Sequence, residues 1–329
     1  MSSKVTRRTV IGSGIATAAA LPFTGNAWAQ AWPAKPIRIV VSYPPGGLTD
    51  LFARAYGDYI AQKVGQPVVV ENRPGAGGTV GAQAVKGAPA DGYTLMFTIT
   101  TTMVMNRVLY KNLPYDADKD FVLISCMPSG GLPLVASKAT AVTNLNEFAE
   151  YARKNRVSVG TYAAGSAAHI AIAELNKHFG LQMEAVHYRG EGPMWQDLSA
   201  GVIQAGIGSY PAASNVLQSG AGRAIAVSQT RRLRKLPDVA TYLEQGVTSR
   251  AFQLRGYICA VGPTGIPQEI VQRLSDLMVE GGKSERVQKL LDTFGVDESA
   301  LGHEEFRRLY NEEGPIWISL VQSLGLTPE

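Results

Sequence analysis

Ile37-Arg38-Ile39-Val40-Val41-Ser42-Tyr43-Pro44-Pro45-Gly46-Gly47-Leu48-Thr49-Asp50 is the stretch on which the reading of the fold turns. It opens with a β-branched run that reads as a buried strand. Pro44-Pro45 removes two amide donors and holds the chain extended. Gly46-Gly47 lets the backbone approach a ligand with no Cβ in the way. An amphipathic segment from 51 to 64 follows, and a helix there presents unpaired N–H groups and a positive dipole end. The stretch reads as half of an anion-binding cleft.

The same device recurs downstream. A strand at 157–161 enters Tyr162-Ala163-Ala164-Gly165-Ser166-Ala167-Ala168-His169, which opens a helix reaching Phe179. Gly165-Ser166 at a helix start offers N–H groups and a hydroxyl to a carboxylate; the alternative is a helix that caps itself through Ser166. Around the first device, strands at 67–71 and 93–98 and a helix through about 85 give a βαβαβ order, hence a parallel sheet under helices. A strand at 121–126 follows. The second α/β set runs from 134, with strands near 184–188, 205–208 and 224–228 and helices at 145–155 and 193–200. A strand at 252–262 returns toward the first set, and helices at 267–280, 284–294 and 303–323 finish the chain. At 329 residues, two lobes are expected rather than one core.

Residues 1–29 contain no acid and have the layout of a cleavable signal: a basic start, a largely apolar run from Val10 to Phe23, and Ala27-Trp28-Ala29 as a small-x-small site. The paired arginines in Thr6-Arg7-Arg8-Thr9-Val10-Ile11 point to the twin-arginine type. The net charge of +4 includes Lys4, Arg7 and Arg8. Without them the body is near neutral, which argues against nucleic-acid binding. Export to an oxidising compartment raises the question of a bond between Cys126 and Cys259, which spacing leaves open.

Catalytic and cofactor signatures fail one by one. Gly75-Ala76-Gly77-Gly78-Thr79-Val80 has valine where a dinucleotide fingerprint needs its third glycine, and Gly282-Lys283-Ser284 has Leu277 where a phosphate loop needs glycine. No G-x-S-x-G elbow exists. His169, His178, His187 and His303 lack metal-ligand spacing. The expectation is no catalytic residue, no metal and no cofactor: not an enzyme.

Tyr43-Pro44-Pro45-Gly46-Gly47-x-x-Asp50, Val70 through Gly78, Asp91 through Leu95 and Leu113 through Asp116 resemble the Bug family. So do Gly160 through His169, Tyr188-Arg189-Gly190, Leu236 through Val239 and Gly262 through Pro267. These are the extracytoplasmic solute receptors, TctC-like periplasmic binding proteins, of tripartite tricarboxylate transporters. The resemblance covers essentially the whole chain after the signal. It implies an α/β two-lobed periplasmic-binding-protein fold with hinge strands crossing between lobes: residues 30–132 and 252–329 in lobe 1, residues 133–251 in lobe 2. It further implies capture of a small organic carboxylate in the interlobe cleft and its delivery to transporter membrane subunits, by a monomer in the periplasm. A periplasmic ligand sensor on the same fold, feeding a signalling partner, is the alternative.

Carried over by position, the ligand contacts are Tyr43, Gly47, Leu48, Thr49 and Asp50, with Thr102 at the next loop, then Ala164, Gly165, Ser166, Ala167 and His169. Asp50 reads equally as a helix-start cap. In Ile203-Gln204-Ala205-Gly206-Ile207-Gly208-Ser209-Tyr210-Pro211, Gly208 stands where the family often has an aspartate facing the ligand. Loss of that charge puts an amino or amide ligand in doubt and admits a dicarboxylate or a bulky aromatic acid, unless another residue such as Tyr210 or Arg189 fills the gap.

Overall fold

The computed structural model describes residues 32–296 and 298–328. The signal read at residues 1–29 and its cleavage point lie outside the described residues. In the unit that begins at Pro33, strand β1 (Ile37–Val41) leads through the proline–glycine turn into helix α1 (Leu48–Val64), which stops at Gly65 in the left-handed conformation. Strand β2 (Val68–Asn72), helix α2 (Thr79–Lys86) and strand β3 (Thr94–Ile99) complete the βαβαβ set. A π-helical turn at Thr101–Met105 then runs into a short helix α3 (Asn106–Leu109), followed by strand β4 (Phe121–Pro128).

The second half contains β5 (Pro133–Ser137), α4 (Leu145–Lys154), β6 (Ser158–Thr161), α5 (Ala167–Phe179), β7 (Glu184–His187), α6 (Glu191–Ser199), β8 (Ala205–Ile207), α7 (Tyr210–Gln218) and β9 (Gly222–Val227). The chain then returns through β10 (Tyr257–Pro263) to α8 (Gln268–Gly281), α9 (Glu285–Phe294) and α10 (His303–Gln322). Helix α4 shows how local chemistry and packing agree. Asn144 caps it by accepting from the Glu147 N–H, and Leu145, Phe148 and Ala149 bury one face.

Among the described residues the strands form two five-stranded sheets, ordered β2-β1-β3-β10-β4 and β7-β6-β8-β5-β9. In each, three strands are parallel, and the next joins antiparallel. Strands β1 and β6 hold equivalent places, second from an edge, so the two strand–turn–helix devices occupy matching positions. The expected parallel set is present as β1 to β3.

One local expectation gives way to packing, and two elements form where the sequence reading placed none. The residues from 252 were expected to be strand, yet Arg250–Phe252 form a tight 3₁₀ turn. Phe252 is apolar because it stacks on Tyr242, with ring centroids 4.0 Å apart, inside the second half. Helix α7 begins with Pro211 in its first turn, where a proline removes no helical bond. The threonine-rich 101–105 segment has poor helix propensity; burial of Thr102, Met103, Val104 and Met105 overrides it.

Two segments join the halves: Ser129–Leu132 between β4 and β5, and residues 228–256 between β9 and β10. They are tied together. The Ser129 N–H donates to the Gly256 carbonyl at 2.7 Å, and the Gln229 amide donates to the Ser129 carbonyl at 2.8 Å. Just before this junction, Cys126 and Cys259 face each other across β4 and β10. Both are buried free thiols. The Cys126 N–H and carbonyl both pair with Leu301, on the side away from β10. The cysteines are therefore a non-hydrogen-bonded pair, the closer kind.

Candidate functional site

A cavity of about 250 Å³ takes its walls from both halves. It opens at the carboxyl ends of parallel strands: Ile99 ends β3, Leu48 starts the helix after β1, Tyr162 follows β6, and Ile207 and Ser209 flank the end of β8. Crevices of this kind, outside strand carboxyl ends, are the usual ligand positions in α/β sheets. The cross-connections supply the floor through Ser129, Gly256 and their neighbours.

The lining is predominantly apolar and aromatic, with a small set of polar atoms. Tyr242, Tyr257 and Trp317 line the cavity, are almost fully buried, and leave Oη, Oη and Nε1 without hydrogen-bond partners. Those three atoms are closed off from the open space, so the surface they give the cavity is ring carbon. Helix α1 offers donors at its start: its cap residue Gly47 provides no side-chain bond, and the first intrahelical bond runs from the Leu51 N–H to Gly47. The N–H groups before it have no partner within the helix.

The residues expected to touch a ligand take several different places. Leu48 and Ala167 line the cavity. Tyr43 and Thr102 instead hold the glycine loop: their hydroxyls donate to the Gly77 carbonyl at 3.2 and 2.9 Å, beside the Asn106 amide at 3.0 Å. Asp50 is a buried lock for the 43–50 turn. It accepts from the Gly46 N–H at 2.9 Å, from the Asn72 amide at 2.9 Å and from Arg54. Burial pushes the Asp50 carboxyl up, but Arg54, Gly46 and Asn72 together hold it below the usual range. Of the two readings of Asp50, the geometry is that of a brace. Gly47 and Thr49 belong to the same turn, the first exposed and the second buried.

At the second device the helix start serves itself. Ser166 Oγ accepts from the His169 N–H, and His169 Nδ1 accepts from the Gly165 N–H at 3.2 Å. The Tyr162 phenol lies against the Ser166 hydroxyl and the Ala167 and Ala168 N–H groups. Burial lowers the His169 pKa to about 4, helped by His187, whose ring lies 4.4 Å away. Gly165 has φ +69, and a Cβ there would sit 2.5 Å from Leu109 of the first half, so the two halves touch at this point. Ala164 is exposed.

Gly208 has surroundings that the sequence does not show. It does not line the cavity, and the space beside it is neither empty nor filled by Tyr210 or Arg189. A Cβ at 208 would lie 2.9 Å from the Trp195 ring and 3.0 Å from Glu191 Oε2. Glu191 therefore brings a carboxyl to this region from the start of α6. It accepts from the Ser209 hydroxyl at 2.8 Å, from the Ser209 N–H at 3.0 Å and from Trp195 Nε1 at 3.4 Å. Burial raises its pKa, and the Ser209 and Trp195 donors offset this only in part. Arg189-Gly190-Glu191 had drawn notice for its first two residues, and an acid at a helix start reads as a dipole partner. The unpaired Tyr242, Tyr257 and Trp317 gave no signal, since nothing in the pattern separates them from core aromatics.

Among the described residues no group of histidine, cysteine and acidic side chains could hold a metal ion, and no helix is long and apolar enough to cross a membrane.

Residues 52–326 match the model of the tripartite tricarboxylate transporter family receptor. Protein BugT of Bordetella pertussis is 31% identical over 320 residues, covering 96% of each chain. Among solved structures, an R. palustris protein with adipate is 28% identical with a TM-score of 0.79, over 91% of this chain and all of that one. MatC from Rhodopseudomonas palustris with bound malate is also 28% identical, with a TM-score of 0.72, over 88% of this chain and all of that one.

Proposed function

The chain belongs to the tripartite tricarboxylate transporter receptor family, a family of binding proteins rather than enzymes, and from that premise we propose that it is a periplasmic receptor for a small organic carboxylate. It holds the acid in the cavity between the sheets and delivers it to transporter membrane subunits. What carries the reading is the combination within one cavity of apolar walls from both halves and the uncapped start of α1. Acceptor-rich anions suit such a site. The volume lies below the ~300–1,000 Å³ of drug-sized pockets, so the ligand is small. Adipate and malate in the related structures are of this class.

In this reading the first lobe comprises residues 30–132 and 252–329, the second 133–251, and the tied segments at Ser129 and Gly256 are the hinge. Leu48 and Ala167 contact the ligand from opposite lobes. Gly47, Thr49, Gly165 and Ser166 shape the two turns that approach it, while Tyr43, Asp50, Thr102 and His169 hold those turns in place. The leader at 1–29 directs export and is removed, and the receptor works as a monomer.

A thermal-shift screen of mono- and dicarboxylates tests the proposal. A ligand at 100-fold its dissociation constant adds about 2.7 kcal/mol, so binders raise the melting temperature measurably. Failure of every acid at millimolar concentration overturns it. Co-purification with membrane subunits supports delivery; co-purification with a sensor kinase instead assigns the chain to signalling.

A further inference from the structure

Glu191 is the one charged side chain among the described residues lining the cavity. No ion pair among the described residues involves it. Its hydrogen bonds are unevenly spread. Oε2 accepts from the Ser209 hydroxyl, the Ser209 N–H and Trp195 Nε1, whereas Oε1 shares only the Ser209 N–H at 3.1 Å. A carboxylate has about four acceptor positions, so Oε1 keeps capacity for another donor. The group is partly exposed, and it lines the cavity.

Its placement depends on the residue opposite. A side chain at 208 would start 3.0 Å from Oε2, so glycine at 208 and glutamate at 191 form a matched pair. Removing a carboxylate from the strand has not removed the charge from this wall; the helix supplies it. A ligand end that meets Glu191 therefore meets an acceptor. Two carboxylates brought together in a low-dielectric site cannot both ionise without a large penalty. A donor placed there completes the shell of Oε1.

We infer that Glu191 sets the chemistry of the ligand's far end: the receptor favours a monocarboxylate carrying a hydrogen-bond donor or cation, such as an ω-amino, ω-amide or ω-hydroxy acid, over the matching dicarboxylate. This rests on the carboxylate-receptor reading above. The preference departs from that of two similar proteins, whose ligands adipate and malate each carry a second carboxylate.

The test is calorimetry on the full mature chain with matched series of four to eight carbons: linear diacids, ω-amino acids and ω-hydroxy acids. The expected result is at least one ω-amino or ω-hydroxy acid bound ten-fold or more tighter than the diacid of equal length. Glu191→Gln should lose at least ten-fold for that ligand and gain for the diacid, since the amide keeps an acceptor for Ser209 while shedding the charge. If Glu191→Gln does not fold, the ranking in the unaltered protein decides. Diacids bound tighter than their partners overturn this inference and leave the carboxylate receptor standing. No binding of any series overturns both.

Discussion

Gly208→Asp, read against Gly208→Asn, isolates the charge at the wall where β8 meets α6. Both substitutions crowd the Trp195 ring and Glu191, which a Cβ would approach to 2.9 and 3.0 Å. Overpacking of this kind costs about 1–3 kcal/mol and is common to the two. Only aspartate adds a second carboxyl beside the first. Two unit charges ~4 Å apart at an effective dielectric of ~20 repel by about 4 kcal/mol. Relieving that by taking up a proton at pH 7 costs about 1.4 kcal/mol for each pH unit above the ordinary carboxyl pKa. Either way aspartate should be about 2–4 kcal/mol less stable than asparagine at pH 7. The folded pair binds a proton more tightly than the unfolded chain, so the deficit is absent below about pH 4 and grows as pH rises. Urea unfolding of both variants at pH 4 and pH 7 measures it, with the m-value as a check that the folded state is retained. Glu191→Gln in the Gly208→Asp background should recover most of the deficit. Equal stability of the aspartate and asparagine variants at pH 7, or no recovery, refutes the placement of Glu191 against Gly208.

Gly165→Ala should destabilise the protein by about 1–2 kcal/mol, since φ +69 costs an L-residue that much. Adding Leu109→Ala should relieve the contact between the halves but not the backbone part, which a double-mutant cycle in urea resolves. With its pKa lowered to about 4, His169 binds fewer protons folded than unfolded. Stability should therefore fall as pH drops from about 6.5 toward 4, and His169→Asn should flatten that slope in a melting-temperature series. Cys126 and Cys259 should resist thiol reagents in the native state, because burial pushes both thiols up. Unfolding without reductant should release two thiols; a count of zero shows a bridge between β4 and β10. Intact mass of the exported protein should begin at Gln30, and a mass that keeps residues 1–29 contradicts removal of the leader.

Legibility in the sequence followed the range of the forces involved. The strand–turn–helix at 37–64 was readable because β-branched residues, two prolines and two glycines state their conformations locally. The same holds for 157–179. Long-range packing was not readable. Helix α7 needed the knowledge that Pro211 sits in a first turn, and Phe252 looked like strand because its partner Tyr242 lies elsewhere in the chain. At the site, motif positions mark the two turns, while which side chains line the cavity depends on packing between elements. Tyr43, Asp50 and Thr102 spend their polar atoms bracing neighbouring backbone. Glu191, which does face it, is brought there by the packing of α6 on β8, a juxtaposition that no spacing rule encodes.

The place of β10 between β3 and β4 sets the order in which the chain can become complete. During synthesis the second sheet has all five strands before β10 exists, whereas the first waits with β3 and β4 unable to meet. Their facing edges carry unpaired backbone groups for as long as the seam stays open, and unpaired edges recruit other chains. Closing the seam late gives the first lobe a high contact order and a slow final step. A chain cut before residue 252 therefore keeps one finished sheet and one with an open seam. Its folding is decided by its last quarter, where the seam strand and the helices α8 and α10 that pack beneath β4 arrive together.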